Sequence, residues 1–197
     1  MLDRHERQPK DEPLFMFGVT MQNHGGYDFG DIGLERITLA GDQHNEAAEN
    51  YLTLIHESDK AFEMLIRELE KSDRPTVLLM FGAPQPSLSM DFLEQLHGGA
   101  LETLDEQMLR YKVPFIIWAN YDIEEKTVDC TSLNYLSVYL MEAAGLPLSP
   151  YQEFLRDTEK QIPVINSNGC YSLSEGCFLP ISDAQGEEKT ALNLYAQ

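Results

Sequence analysis

The sequence predicts an α/β fold with a mainly parallel sheet. Three apolar runs of strand type carry that reading: residues 14–20, 76–81 and 113–119. Segments of helical period separate them. A strand–helix–strand–helix–strand order implies parallel strands with helices on the sheet faces. The length of 197 residues suffices for one medium domain with a real core. Three strands are few for such a sheet, and the first comes almost at once. Both features predict that part of the domain lies upstream.

Residues 1–13 are polar and mixed in charge and read as a flexible lead-in that contains His5; the domain proper is expected over 14–197. Residues 14–20 form a continuous apolar run of buried-strand type. A polar, Gly-rich turn follows at 21–27. Residues 28–48 read as irregular, with a short strand at Ile37-Thr38-Leu39. From about residue 49 to residue 70 the pattern is helical. Tyr51, Ile55, Phe62, Leu65, Ile66 and Leu69 recur at three- and four-residue steps and make one apolar face. Asp73-Arg74-Pro75 ends that helix.

Residues 76–81 are the second buried strand. Residues 90–110 carry a weaker helical pattern, broken near Gly98-Gly99. The third strand, 113–119, tolerates Pro114 near its start, where a missing N–H does no harm. A helix opens at Cys130 or Thr131 and runs to about Ala144, with Gly145 at its C′ position and Pro147 beyond. Ser149 as N-cap and Pro150 at N1 start a further short helix. The Asn168-Gly169 turn signal, with residues 170–173 and 177–181 around the next turn, predicts a small C-terminal hairpin.

Net charge is −19, from 14 basic and 33 acidic residues. That argues against a nucleic-acid partner, because phosphate contacts need clustered Lys and Arg. It equally opposes docking on anionic lipid heads. No run reaches the roughly 20 apolar residues that span a bilayer, and the N-terminus is no signal peptide. The chain is therefore expected to be soluble, with no direct membrane insertion. Three cysteines are no disulfide framework. Cys170 and Cys177 either face each other across the hairpin or remain free thiols.

The turn after the second strand reads Phe81-Gly82-Ala83-Pro84-Gln85-Pro86. In α/β folds the C-terminal ends of strands carry the chemistry. Ala83 and Pro84 can neither bind a metal nor move a proton. His24 is the strongest candidate, since it follows a strand-type run in a Gly-flanked turn. Two readings stand: an imidazole that donates to a phosphoryl or sulfuryl oxygen, or a turn residue bonded to nearby backbone. Asn23 is a second donor or simply turn chemistry. His56, Glu57 and Asp59 read as a solvated helix face, and His44 and His97 as surface residues. Asp122 initiates a turn or accepts a substrate hydroxyl. Trp118 reads as a core residue. No Ser-His-Asp set, P-loop, dinucleotide fingerprint or zinc spacing occurs.

Residues 15–27, from Phe15-Met16-Phe17-Gly18 to His24-Gly25-Gly26-Tyr27, resemble a segment of the lipoteichoic acid synthase-like phosphoglycerol transferases of the sulfatase and alkaline phosphatase superfamily. Residues 51–62, 113–122, 131–150 and 165–178 continue the likeness. It corresponds to the C-terminal half of that catalytic domain. The resemblance implies an α/β/α sandwich, here a partial alkaline phosphatase-like (sulfatase) fold. It implies membrane-anchored enzymes with an extracellular catalytic domain, which move phosphoglycerol from phosphatidylglycerol onto a glycerol-phosphate polymer of the cell envelope. A threonine nucleophile and a divalent metal, manganese or magnesium, do the chemistry. His24 matches the family's substrate-phosphate histidine.

Two departures accompany the likeness. The nucleophile and one acidic metal ligand belong to an N-terminal half that this chain is expected to lack. The family's turn reads Phe-Gly-Asp-His-Gln-Pro, whereas Ala83 and Pro84 stand in place of the Asp and His metal ligands. A metal site short of those ligands binds far more weakly. Three functional readings follow. The first is part of a phosphoglycerol transferase-like or sulfatase-like hydrolase, inactive as this chain and binding no metal. The second is a non-catalytic module for phosphate or glycerol phosphate, with His24 and Asn23 as its contacts. The third is a degenerate structural copy with no ligand.

Overall fold

The structure is a computed structural model and describes residues 1–41 and 44–196. The chain divides into two compact units, Met1–Thr76 with Pro86–Gly98, and Val77–Gln85 with Gly99–Gln197.

The first unit contains α1 (Leu2–Arg7), α2 (Glu46–Glu70) and α3 (Met90–His97). Asn45 caps α2 by accepting from the Ala48 N–H at 2.9 Å, and Glu46 and Glu49 place negative charge in the first turn. Gly98 ends α3 with φ +78°, the left-handed conformation that favours glycine. The lead-in departs from the expectation of flexibility. Residues 2–7 are helical, and His5 is buried with Nε2 at 3.1 Å from Thr76 Oγ1. The Arg74 guanidinium donates to the carbonyls of Gln8 at 2.6 Å, Pro9 at 2.7 Å and Glu12 at 2.9 Å. One planar fork thus satisfies three acceptors that no helix or sheet uses.

The run at 14–20 is a second correction. It is irregular rather than a strand, and Phe15 and Phe17 are 81% and 69% exposed. Leu14 and Met16 are half-buried, so burial alternates over 14–17 only, and residues 18–20 are all exposed. What is missing among the described residues is a paired backbone. Ile37–Leu39 is likewise irregular and is tied to side chains of α2 instead of a sheet.

The second unit holds two small sheets. β1 (Val77–Phe81) and β2 (Phe115–Ala119) pair antiparallel, from Val77 opposite Ala119 to Phe81 opposite Phe115. This corrects the expected parallel pairing. The chain leaves β1 at Phe81 and enters β2 at Phe115, directly opposite, so it returns at the same end of the sheet instead of crossing over to the other. The architecture remains mixed α/β. β3 (Ile165–Asn166), β4 (Gly169–Ser172) and β5 (Cys177–Leu179) form an antiparallel meander that contains the expected hairpin. Its register sets Cys170 opposite Leu179 and Cys177 opposite Ser172, so the two thiols do not face each other; all three cysteines are free.

Four helices complete this unit: α4 (Leu104–Met108), α5 (Leu136–Ala143), α6 (Pro150–Glu159) and α7 (Gly186–Tyr195). A 3-10 turn, Leu133–Tyr135, precedes α5, which is shorter than the sequence pattern suggests. At its end Leu146 N–H bonds Met141 O at 2.9 Å and Gly145 N–H bonds Glu142 O at 3.0 Å, a Schellman closure with Gly145 at φ +65°. Ser149 caps α6 with Pro150 at N1, as the Ser-Pro start predicts, and Gln152 completes a reciprocal capping box that the sequence reading did not include. α7 has no counterpart in the sequence reading. The core gathers Tyr135, Val138 and Leu155 in one cluster and Ile162, Cys170, Ala184, Ala191 and Leu192 in another, with Ile165 packed against both. Trp118 is half-buried rather than central.

Candidate functional site

The loop that carries His24 is built by buried polar side chains of α2. Glu49, Asn50 and Thr53 are buried, although their types suggest solvent. Asn50 Nδ2 donates to Tyr27 O at 2.7 Å and Phe29 O at 2.9 Å. Thr53 Oγ1 accepts from the Ile37 N–H at 3.0 Å. The Glu49 carboxylate, 3% exposed, receives the Leu39 N–H at 3.3 Å, Arg36 at 3.2 Å and His44 Nδ1 at 3.1 Å. Burial alone raises its pKa. The Leu39 amide, the bond to and charge of His44 and the Arg36 guanidinium outweigh burial and hold the carboxyl below its ordinary value. These bonds satisfy an irregular backbone that no ladder serves.

Within that loop Asn23 Nδ2 donates to Ser58 Oγ at 2.9 Å, and Ser58 Oγ donates back to Asn23 Oδ1 at 3.1 Å. The Tyr27 hydroxyl donates to Asn23 O at 2.9 Å. Asn23 is therefore occupied in holding the turn. His24 is exposed, and its main-chain N–H closes the turn on Met21 O at 3.1 Å. The geometry fits an imidazole offered from a fixed loop. His44 is on the surface and paired with Glu49, Glu57 pairs with Lys60 at 2.8 Å, and His56 is half-buried. His97 is half-buried rather than a surface residue.

In the second unit the turn at 82–85 is pinned on both sides. Gly82 N–H bonds Pro114 O at 3.1 Å, and a Cβ there would lie 3.0 Å from Val113 Cβ. Gln85 N–H bonds Arg110 O at 3.1 Å, and its side-chain amide donates to Leu109 O at 2.9 Å and Lys112 O at 3.3 Å. Ala83 and Pro84 supply no ligand atoms, and Gln85 is committed to backbone. Among the described residues no group of three or more His, Cys, Asp or Glu gathers as a metal site. The manganese or magnesium that the resemblance implies does not fit the residues present.

The second unit also encloses a cleft of about 1250 Å³, a feature the sequence reading missed. Phe115, Trp118, Tyr121, Tyr139 and Phe178 line it, and Pro84 and Asp122 reach its wall. Thr131 and Tyr139, also in the lining, both donate their hydroxyl protons to Glu159 Oε1, Tyr139 at 2.8 Å. Burial, with the Glu159 hydrogen bond and charge, pushes the Tyr139 phenol up to about 12, so it stays protonated. Ser132 accepts from the Ile165 N–H at 2.6 Å and donates to Ile165 O at 2.9 Å, which clips the loop before α5 to β3. No short motif marks this group, because its members come from two helices and the loop before them.

The Sulfatase family model matches residues 1–146, and so includes the lead-in. A putative cyclic beta-1,2-glucan modification protein of Rhizobium meliloti (strain 1021) is 25% identical over 153 residues, covering 74% of this chain and 24% of that protein. The capsular polysaccharide biosynthesis protein RkpI of the same organism is 34% identical over 83 residues, 42% of this chain and 14% of its own length. Among solved structures, the Streptococcus pyogenes phosphoglycerol transferase GacH in complex with sn-glycerol-1-phosphate matches with a TM-score of 0.65 at 18% identity. That match covers 97% of this chain and 44% of GacH and is a likeness of fold. The chain thus spans a quarter or less of these curated relatives. No helix among the described residues is long and apolar enough to cross a membrane.

Proposed function

The chain belongs to the sulfatase family, with part of that family's α/β fold, and from that premise we propose that it is a phosphoglycerol transferase-like member that recognises glycerol phosphate without metal-assisted transfer. One observation carries this reading. The turn at 81–86 keeps Phe81, Gly82, Gln85 and Pro86 in a pinned backbone, while Ala83 and Pro84 leave it without donor atoms. A corner without ligand atoms gives Lewis-acid chemistry no foothold, which leaves recognition without metal-assisted transfer.

His24 is the proposed phosphate contact. An exposed imidazole can donate to a phosphoryl oxygen, and a proton on it adds charge complementarity. Asn23 is the proposed positioning residue, since its amide is held by Ser58. The proposed ligand is the glycerol-phosphate group of an envelope polymer, presented outside the cell to a membrane-anchored protein. GacH was solved in complex with sn-glycerol-1-phosphate, and the two rhizobial relatives are named for glucan modification and capsular polysaccharide biosynthesis. The first supports glycerol phosphate as the ligand group, and the other two support an envelope polymer as its carrier.

Turnover tests the reading. With manganese or magnesium and a glycerol-phosphate diester, the chain is expected to give no rate above the metal-free background. Metal-dependent turnover by this chain would overturn it.

A further inference from the structure

The cleft of the second unit has a chemistry unlike that of a phosphate site. Its titratable lining is acidic: Asp122, Glu124, Glu125, Asp129 and Glu142. Lys112 and Lys126 oppose them, and Lys126 is already paired with Glu124 at 3.2 Å. An anion entering this cleft meets net repulsion. A metal cation meets no convergent ligand set among the described residues. Of the ligands left, one rich in hydroxyl groups fits the polar groups of the walls.

The walls suit such a ligand. Phe115, Trp118, Tyr121 and Phe178 offer flat apolar faces beside polar groups, the mixture from which small-molecule sites are made. The volume of 1250 Å³ exceeds the roughly 300–1,000 Å³ of ordinary pockets, so it holds a chain of linked units rather than one. Thr131 and Tyr139 donate to Glu159 and so have spent their protons. Each hydroxyl oxygen is left as an oriented acceptor for a ligand O–H.

We propose that this cleft binds a neutral oligosaccharide, with Thr131 and Tyr139 as acceptors for its hydroxyl groups and the aromatic walls as its stacking surfaces. The proposal rests on the envelope-polymer ligand proposed above and names a sugar part for it.

The chain has one tryptophan, Trp118, and it lines the cleft, so its emission reports occupancy. The full chain is titrated with a neutral linear β-glucan tetrasaccharide. A saturable change in emission is expected. Tyr139→Phe and Thr131→Val should each weaken binding about 5–10-fold, the share of one hydrogen bond. Thr131→Ser keeps the hydroxyl and should bind as the parent does. No saturable change in the parent overturns the proposal, as do both hydroxyl deletions binding like the parent. If a variant fails to fold by circular dichroism, the parent titration and Thr131→Ser decide. Glycerol-phosphate binding lost in His24→Ala, without any tetrasaccharide response, sinks the cleft alone. A tetrasaccharide response without glycerol-phosphate binding supports the cleft and sinks the phosphate reading.

Discussion

Asn23 and Ser58 exchange hydrogen bonds, at 2.9 Å from the amide and 3.1 Å from the hydroxyl, and so fasten the His24 turn to the middle of α2. Ser58→Ala removes both bonds and leaves the half-buried amide to find water. Equilibrium urea unfolding should show a loss of about 0.5–1.5 kcal/mol. Glycerol-phosphate affinity should fall with it, because His24 loses its fixed position. An unchanged affinity would separate the turn from ligand binding.

Glu49 makes the first unit sensitive to acid. Its folded carboxyl lies below the ordinary value of 4.5, despite burial, through the Leu39 amide, His44 and Arg36. A depressed carboxyl stabilises the fold above its unfolded value, and that stabilisation is lost as pH falls through the folded one. The urea midpoint should therefore drop as pH is lowered from 4.5 downward. Glu49→Gln should lower stability at neutral pH and shrink that acid response. A variant with the parent's full acid response would show that other carboxylates carry it.

Gly169 sits where the β-meander leaves no room for a side chain. A Cβ there would press on the Leu179 carbonyl oxygen and approach Leu104 Cδ2 at 3.1 Å. Backbone cannot yield as a flexible side chain can. Gly169→Ala should cost about 1–3 kcal/mol in a thermal melt, the range for overpacking a filled site. A melting temperature equal to the parent's would contradict the register described for β4 and β5.

Three free thiols at different depths make a chemical test of the second unit. Cys130 is exposed, Cys177 half-buried and Cys170 buried. Burial, with Glu188 nearby, also raises the Cys170 pKa, which keeps it less reactive. A thiol reagent should modify Cys130 first and Cys170 only on unfolding. A mass that shows a Cys170–Cys177 disulfide would contradict the pairing of Cys177 with Ser172.

Local signals in the sequence located most of the helices. The Asn45 cap was not singled out, yet apolar spacing placed α2 within a few residues, and Ser149-Pro150 marked the start of α6 correctly. The hairpin followed from its turns. Periodicity also misled in α2. The predicted apolar face included Ile55, which is exposed, whereas Glu49, Asn50 and Thr53 are buried. Those three are buried because they bond the irregular chain at 27–39, and that need is invisible in any short window. At 14–20 the apolar run was legible and the missing partner was not. β1 and β2 read correctly as strands, but whether the long connection between them returns at the same end or crosses over is invisible in either strand. The Thr131–Tyr139–Glu159 group escaped notice because folding alone brings a loop, α5 and α6 together.

Calorimetric titration of the chain with sn-glycerol-1-phosphate, once with a chelator and once with excess manganese, decides whether recognition needs a metal. One affinity is expected in both, lost in His24→Ala, since Ala83 and Pro84 offer a metal no ligand atoms. Binding that appears only with manganese, or tightens strongly with it, would mean a metal site that those residues cannot supply.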